Sequence, residues 1–197
     1  MKRMMLLLVV LLVLVLAGCS FGTVIDLSSK EDSGKTNILQ NPSFENSDTE
    51  TSVPLNWSIL TDIDFPVETC PISFHSGVSS LRIDQPESEV SLVSDAFDID
   101  NTSVYYSRCF VRTDKISNKP LTLHLIAFNQ KGDIVNKYSR EIIPSEEWAA
   151  IDFNSGFFKD SAETARLVVT VPEKNDNSFW IDDAEIFKVH TFAFSQE

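Results

Sequence analysis

Catalysis needs nucleophiles and bases at workable spacings, and this chain is sparing with both. Its imidazoles are His75, His124 and His190, and none stands at a triad or metal-binding spacing from a second reactive group. There is no G-x-S-x-G elbow, no H-E-x-x-H pair and no phosphate loop. Carboxylates are plentiful. Asp62 and Asp64, flanking Ile63, nevertheless read as a solvated loop rather than as the acid and base of a hydrolase. The chain is therefore expected not to be an enzyme, and its chemistry is expected to be recognition.

The first residues address the chain to a membrane. Lys2 and Arg3 precede an apolar run from Met4 to Ala17, shorter than the roughly 20 residues that a spanning helix needs. The run ends in Leu16-Ala17-Gly18-Cys19, which resembles the bacterial lipobox. That resemblance implies removal of residues 1–18, lipidation of Cys19 (thioether-linked lipid plus an N-acyl chain) and stable anchoring by two or three chains. Ser20 is not the Asp associated with inner-membrane retention, so the expected location is the bacterial cell envelope, with the outer membrane favoured if the organism has one. Residues 19–36 have the polar, glycine-containing composition of a flexible tether. Removing the leader leaves 16 − 2 = 14 Lys and Arg against 29 Asp and Glu, a formal charge of −15. Such a surface repels nucleic acid. Of three cysteines, Cys70 and Cys109 remain after lipidation, an even number in an exported chain. Two readings stand: a disulfide worth about 4 kcal/mol, or two buried thiols.

The elements that position any site are strands. Tyr105 to Arg112 and Leu121 to Phe128 are aromatic and β-branched at strand length. Asn129 to Gly132 reads as a hairpin turn into a strand through Tyr138. Ala149 to Phe153, Ala165 to Val171 and Ser178 to Phe187 follow. Short strands at regular intervals predict one all-β sandwich over 37–190, with a loose tail at 191–197.

Several stretches in order resemble the jelly-roll carbohydrate-binding modules of families four, nine and twenty-two, in the galactose-binding-domain-like group. They are Asn37-Ile38-Leu39-Gln40-Asn41-Pro42-Ser43-Phe44-Glu45, Pro54-Leu55-Asn56-Trp57, Gly77 to Ile83, Tyr105 to Arg112, Trp148, and Phe179-Trp180-Ile181-Asp182-Asp183. Ser107, Arg108 and Cys109 depart from the family's strand. The resemblance implies a jelly-roll β-sandwich and a structural Ca²⁺ with Glu45 and Asp182 among its ligands. Ala184 and Ile186 read as core, which puts Asp182 and Trp180 on their face. The alternative is that both acids accept backbone hydrogen bonds. Trp57, Trp148 and Trp180 are expected in the fold rather than in a site. The family pattern leaves Tyr106, Arg108 and Phe110 facing away from the core, and alternation does the same for His124 and Phe128. If both strands lie in the concave sheet, these five line a groove for a sugar, joined by Tyr138.

Two functions follow. One is a lipid-anchored, non-catalytic carbohydrate-binding domain holding glycans near the membrane. The other is a lipid-anchored structural or interaction domain that binds another envelope protein.

Overall fold

Alternation of period two sets which side of each strand meets the core. The structure, a computed structural model, describes residues 36–62 and 67–191, the last two by backbone alone. The leader, Cys19, the tether up to residue 35 and the tail beyond 191 lie outside the described residues.

Eleven strands run in order: β1 (Trp57–Thr61), β2 (Val67–Cys70), β3 (Ser80–Asp84), β4 (Val90–Ser94), β5 (Phe97–Asp98), β6 (Ser103–Thr113), β7 (Leu121–Phe128), β8 (Ile134–Ile142), β9 (Ala149–Asn154), β10 (Thr164–Val171) and β11 (Ser178–Thr191). They form two antiparallel sheets. One has the order β1-β4-β10-β7-β8, with β5 beside β10, and the other has the order β2-β3-β11-β6-β9. The first sheet sends Leu92, Leu123, Leu125, Leu167 and Val169 inward. The second sends Leu81, Ile83, Val111, Phe179, Ile181 and Ile186 to meet them. Each such side chain contributes about 1.5–3 kcal/mol on burial. The expected all-β sandwich is the fold observed.

Strands β6 and β7 are neighbours in sequence and lie in different sheets. The link Asp114–Pro120 carries the chain from one to the other. It is held by the Ser117 N–H on the Pro144 carbonyl at 3.0 Å and by the Asn177 side-chain amide on the Lys115 carbonyl. The opening segment runs beside β11, where the Ile38 N–H meets the Ile186 carbonyl at 3.0 Å. Asn37 doubles this contact through the Ala184 carbonyl and the Ile186 N–H. Next comes a sharp turn in which Asn41 and Phe44 take positive φ, 48° and 55°. A bulky residue rarely adopts that conformation. Phe44 is held in it by complete burial, with its ring 5.1 Å from Trp57.

Candidate functional site

The outward residues of the first sheet build one surface. Ser58 and Leu60 come from β1, Ser91 and Val93 from β4, and Arg166, Val168 and Thr170 from β10. Thr122, His124, Ile126 and Phe128 come from β7, and Lys137 from β8. With Glu89 they line an open groove of about 630 Å³. The register fixes the rows that cross it. Ser58, Val93, Val168, His124 and Ser139 form the central row. Arg166, Ile126 and Lys137 form the next, and Thr164, Phe128 and Ile134 the one after. At about 4.8 Å per strand the five strands span roughly 19 Å. A second recess of about 360 Å³ adjoins at Phe128 and Arg166 and reaches Asn129, Gln130 and Glu163.

This surface interleaves apolar side chains (Val93, Ile126, Phe128 and Val168) with hydroxyls and charges, a composition suited to a polar ligand with apolar faces. Burial first, and the Lys137 charge second, hold the His124 ring down at about 4. The imidazole is therefore neutral at physiological pH, with Nδ1 2.6 Å from the Ser139 hydroxyl. Arg166 is braced from behind, Nη1 donating to the Ser94 carbonyl at 2.7 Å.

Of the five residues expected to share a groove, the structure brings His124 and Phe128 together and puts the other three elsewhere. Tyr106, Arg108 and Phe110 lie on β6, in the second sheet, and face away from His124 and Phe128 across the sandwich. The shared groove required β6 and β7 to lie in one sheet, and they do not; alternation reports a residue's face and not its sheet. The chemistry of the three is also occupied. The Tyr106 hydroxyl donates to Asp152 at 2.8 Å. Burial first and that hydrogen bond second push its pKa up to about 12. Arg108 pairs with the buried Glu185 at 2.5 Å. Phe110 is roofed by His75, stacked at 3.7 Å and 14°. Tyr138 faces inward, opposite Leu125 and edge-on to Phe158. Trp57 is core, as expected. Trp180 is not: it lies on the outer side of the second sheet with Arg82 and Arg112 against its ring. Trp148 stands edge-on to His75.

Glu45 and Asp182 reach the same loop through different residues. Glu45 Oε1 accepts the Val78 N–H at 2.9 Å and the Ser79 N–H at 3.3 Å, while Oε2 accepts the Ser79 hydroxyl. Asp182 Oδ2 accepts the His75 and Ser76 N–H groups at 2.7 and 3.1 Å. The expected alternation fails here. A bulge in β11 between Asp182 and Glu185, with Asp183 at φ 46°, puts Asp182 opposite Phe110 while Ala184 and Ile186 stay in the core. Burial pushes the Asp182 carboxyl up to about 6, and the Asp183 charge adds to it against the N–H bonds. Among the described residues no three His, Cys, Asp or Glu side chains gather to hold a metal. The groups turned toward the two carboxylates are the backbone N–H groups of residues 75, 76, 78, 79 and 183 and the Ser79 hydroxyl. In this geometry hydrogen bonds pin the loop to the last strand.

Cys70 and Cys109 are free, buried thiols. Strands β2 and β6 are three steps apart in their sheet, about 14 Å at the usual spacing. A disulfide needs Cα atoms within about 7 Å. Cys109 packs in the core, and burial pushes its thiol pKa up.

No protein-family model and no curated protein matches the chain. Solved structures do. A family 61 carbohydrate-binding module, TmCBM61, solved with β-1,4-galactotriose, is similar at TM-score 0.56 and 17% identity, over 78% of this chain and 99% of that one. A family 16 carbohydrate-binding module is similar at TM-score 0.58 and 12% identity, over 77% of this chain and all of that one. The enzymatically active domain of the bacteriophage CBA120 tailspike protein 4 is similar at TM-score 0.63 and 12% identity, over 78% of this chain and 21% of that one. The likeness is one of fold: the chain is a β-sandwich of the architecture that carbohydrate-binding modules use, an architecture also present within an enzyme.

Sequence reasoning missed Arg166, Lys137 and Glu89. The signal for Arg166 was present. It interrupts Ala165-Arg166-Leu167-Val168-Val169 at an outward position, in a strand otherwise made for burial.

Proposed function

We propose that this protein is a lipid-anchored, non-catalytic glycan-binding protein of the bacterial envelope. Sugar is held in the groove across β1, β4, β10, β7 and β8. The observation that carries the reading is that groove: an open channel over five strands, with Phe128 to stack on a pyranose face and Ser, Thr, His124 and charged groups to meet hydroxyls. The sandwich's likeness to a module solved with β-1,4-galactotriose supports it. Cys19 carries the lipid, and residues 19–36 join it to the domain. The outer membrane is the location proposed where the organism has one.

The test is a glycan array probed with the full-length protein in detergent, beside Phe128→Ala. Saturable binding weakened about tenfold by that change, in a protein of unchanged melting temperature, supports the reading. Binding to no glycan by the folded protein refutes it and turns attention to an envelope-protein partner. Anchoring has its own readout: labelled palmitate enters the wild type and not Cys19→Ser.

A further inference from the structure

The charge of the groove runs against the charge of the molecule. The chain has a formal charge of −13, yet Arg166 and Lys137 stand on either side of Ile126, in register across β10, β7 and β8. Two strand spacings separate their backbones, about 10 Å. Among the described residues neither joins an ion pair, although the chain has 29 acids to offer. The Ser94 carbonyl that accepts from Arg166 Nη1 fixes the guanidinium beside the groove without neutralising it. Phe128 lies two residues along β7 from Ile126, so an aromatic face adjoins the two cations. The bordering carboxylates are Glu163, in the adjoining recess, and Glu89, at the opposite end of the groove.

A neutral sugar needs the aromatic face and the hydroxyls and gives two cations nothing to pair with. A sugar acid uses all of them. A guanidinium matches a carboxylate in shape, and a charged partner makes each hydrogen bond roughly twice as strong as a neutral one. We propose that the groove takes an acidic polysaccharide: a uronic-acid residue stacks on Phe128 with its carboxylate held between Arg166 and Lys137. This rests on the groove reading above and narrows it to a substrate class.

The experiment titrates the full-length protein with two uronans of different linkage, polygalacturonate and alginate, each beside its esterified form. Neutral β-1,4-galactan and dextran sulfate complete the set. The expected result is that at least one uronan binds about tenfold or more tighter than its ester. The double change Arg166→Gln with Lys137→Gln lowers it to the level of the ester while the melting temperature holds. Acid and ester binding equally, or a preference that survives the double change, overturns the proposal. So does dextran sulfate binding as tightly as the uronan, which is attraction of charge without recognition of a sugar. Neutral galactan bound with no preference for acid sinks this inference and leaves the groove reading standing. Binding to none of the four classes by folded protein sinks this inference, and the groove reading falls with it only if the glycan array is blank as well.

Discussion

Phe128 and Phe110 are both aromatic residues pointing away from the core, and their surroundings give them opposite roles. Phe128 borders an open groove, whereas Phe110 lies under His75 with the Arg108 guanidinium 5.2 Å above its ring. Phe110→Ala is therefore predicted to destabilise the fold by about 1–3 kcal/mol and to leave glycan affinity at the wild-type value. Thermal melts and a binding isotherm on the same sample check both halves. An affinity loss without a stability loss would assign the second sheet a binding role. His124 makes a pH prediction. Its folded pKa of about 4 lies below the ordinary 6.5 because burial and Lys137 oppose its charge. The unfolded chain thus takes up a proton that the fold refuses, and stability is lost as pH falls from 6.5 toward 4. Asp182 works with the opposite sign over an overlapping range. Its folded pKa is raised from 3.8 to about 6, so its contribution is full at low pH and is lost as pH rises toward 6. The two slopes offset each other in the wild type. His124→Gln should expose the Asp182 slope, with stability then rising as pH drops from 6 to 4. Parallel wild-type and His124→Gln curves would show that His124 titrates normally.

At the scale of elements, the loop 71–79 is the joint between the opening segment and β11. Gly77 has φ 69°, and a Cβ built there would lie 1.9 Å from Glu45 Oε1. Alanine must displace the Glu45 carboxylate, losing the Val78 and Ser79 bonds, and must also bear a left-handed backbone. Gly77→Ala is predicted to cost about 2–3 kcal/mol in the wild type. It should cost only about 1 kcal/mol in Glu45→Ala, where backbone strain alone remains. Equal costs in the two backgrounds would mean that Glu45 does not hold the loop. Since N–H groups and the Ser79 hydroxyl already occupy both carboxylates, chelator is predicted to leave the melting temperature unchanged. A fall of several degrees would put a cation at Glu45 and Asp182 after all. Much at this scale was legible in the sequence. Leu121 to Phe128 alternates without exception, and its strand has those bounds. The face expected for Asp182 was missed because a bulge inserts a residue that alternation cannot count. The disulfide question needed strand order, which no pattern of two cysteines contains. Strand β5, of two residues, is too short to show any period.

At the scale of the whole molecule, the sandwich has two outer faces with different fates. That of the second sheet is closed by ion pairs, stacked rings and the 71–79 loop. That of the first sheet is left open as a groove. Sequence order and landmark motifs were enough for the all-β sandwich. They were not enough for the site, because Tyr106, Arg108 and Phe110 could be assigned a face but not a sheet. The Asp114–Pro120 crossover is what divides them from His124 and Phe128. The central claim is that glycan lands on the first of these faces, and the histidines offer a direct readout. His124 lies in the groove and His75 over Phe110 on the opposite side. The first measurement is therefore the imidazole NMR spectrum of the full-length protein, titrated with the glycan that binds best on the array. The account predicts saturable movement of the His124 ring resonances while those of His75 stay in place. Movement of His75 with His124 fixed would contradict it and put the ligand on the face taken here to be closed.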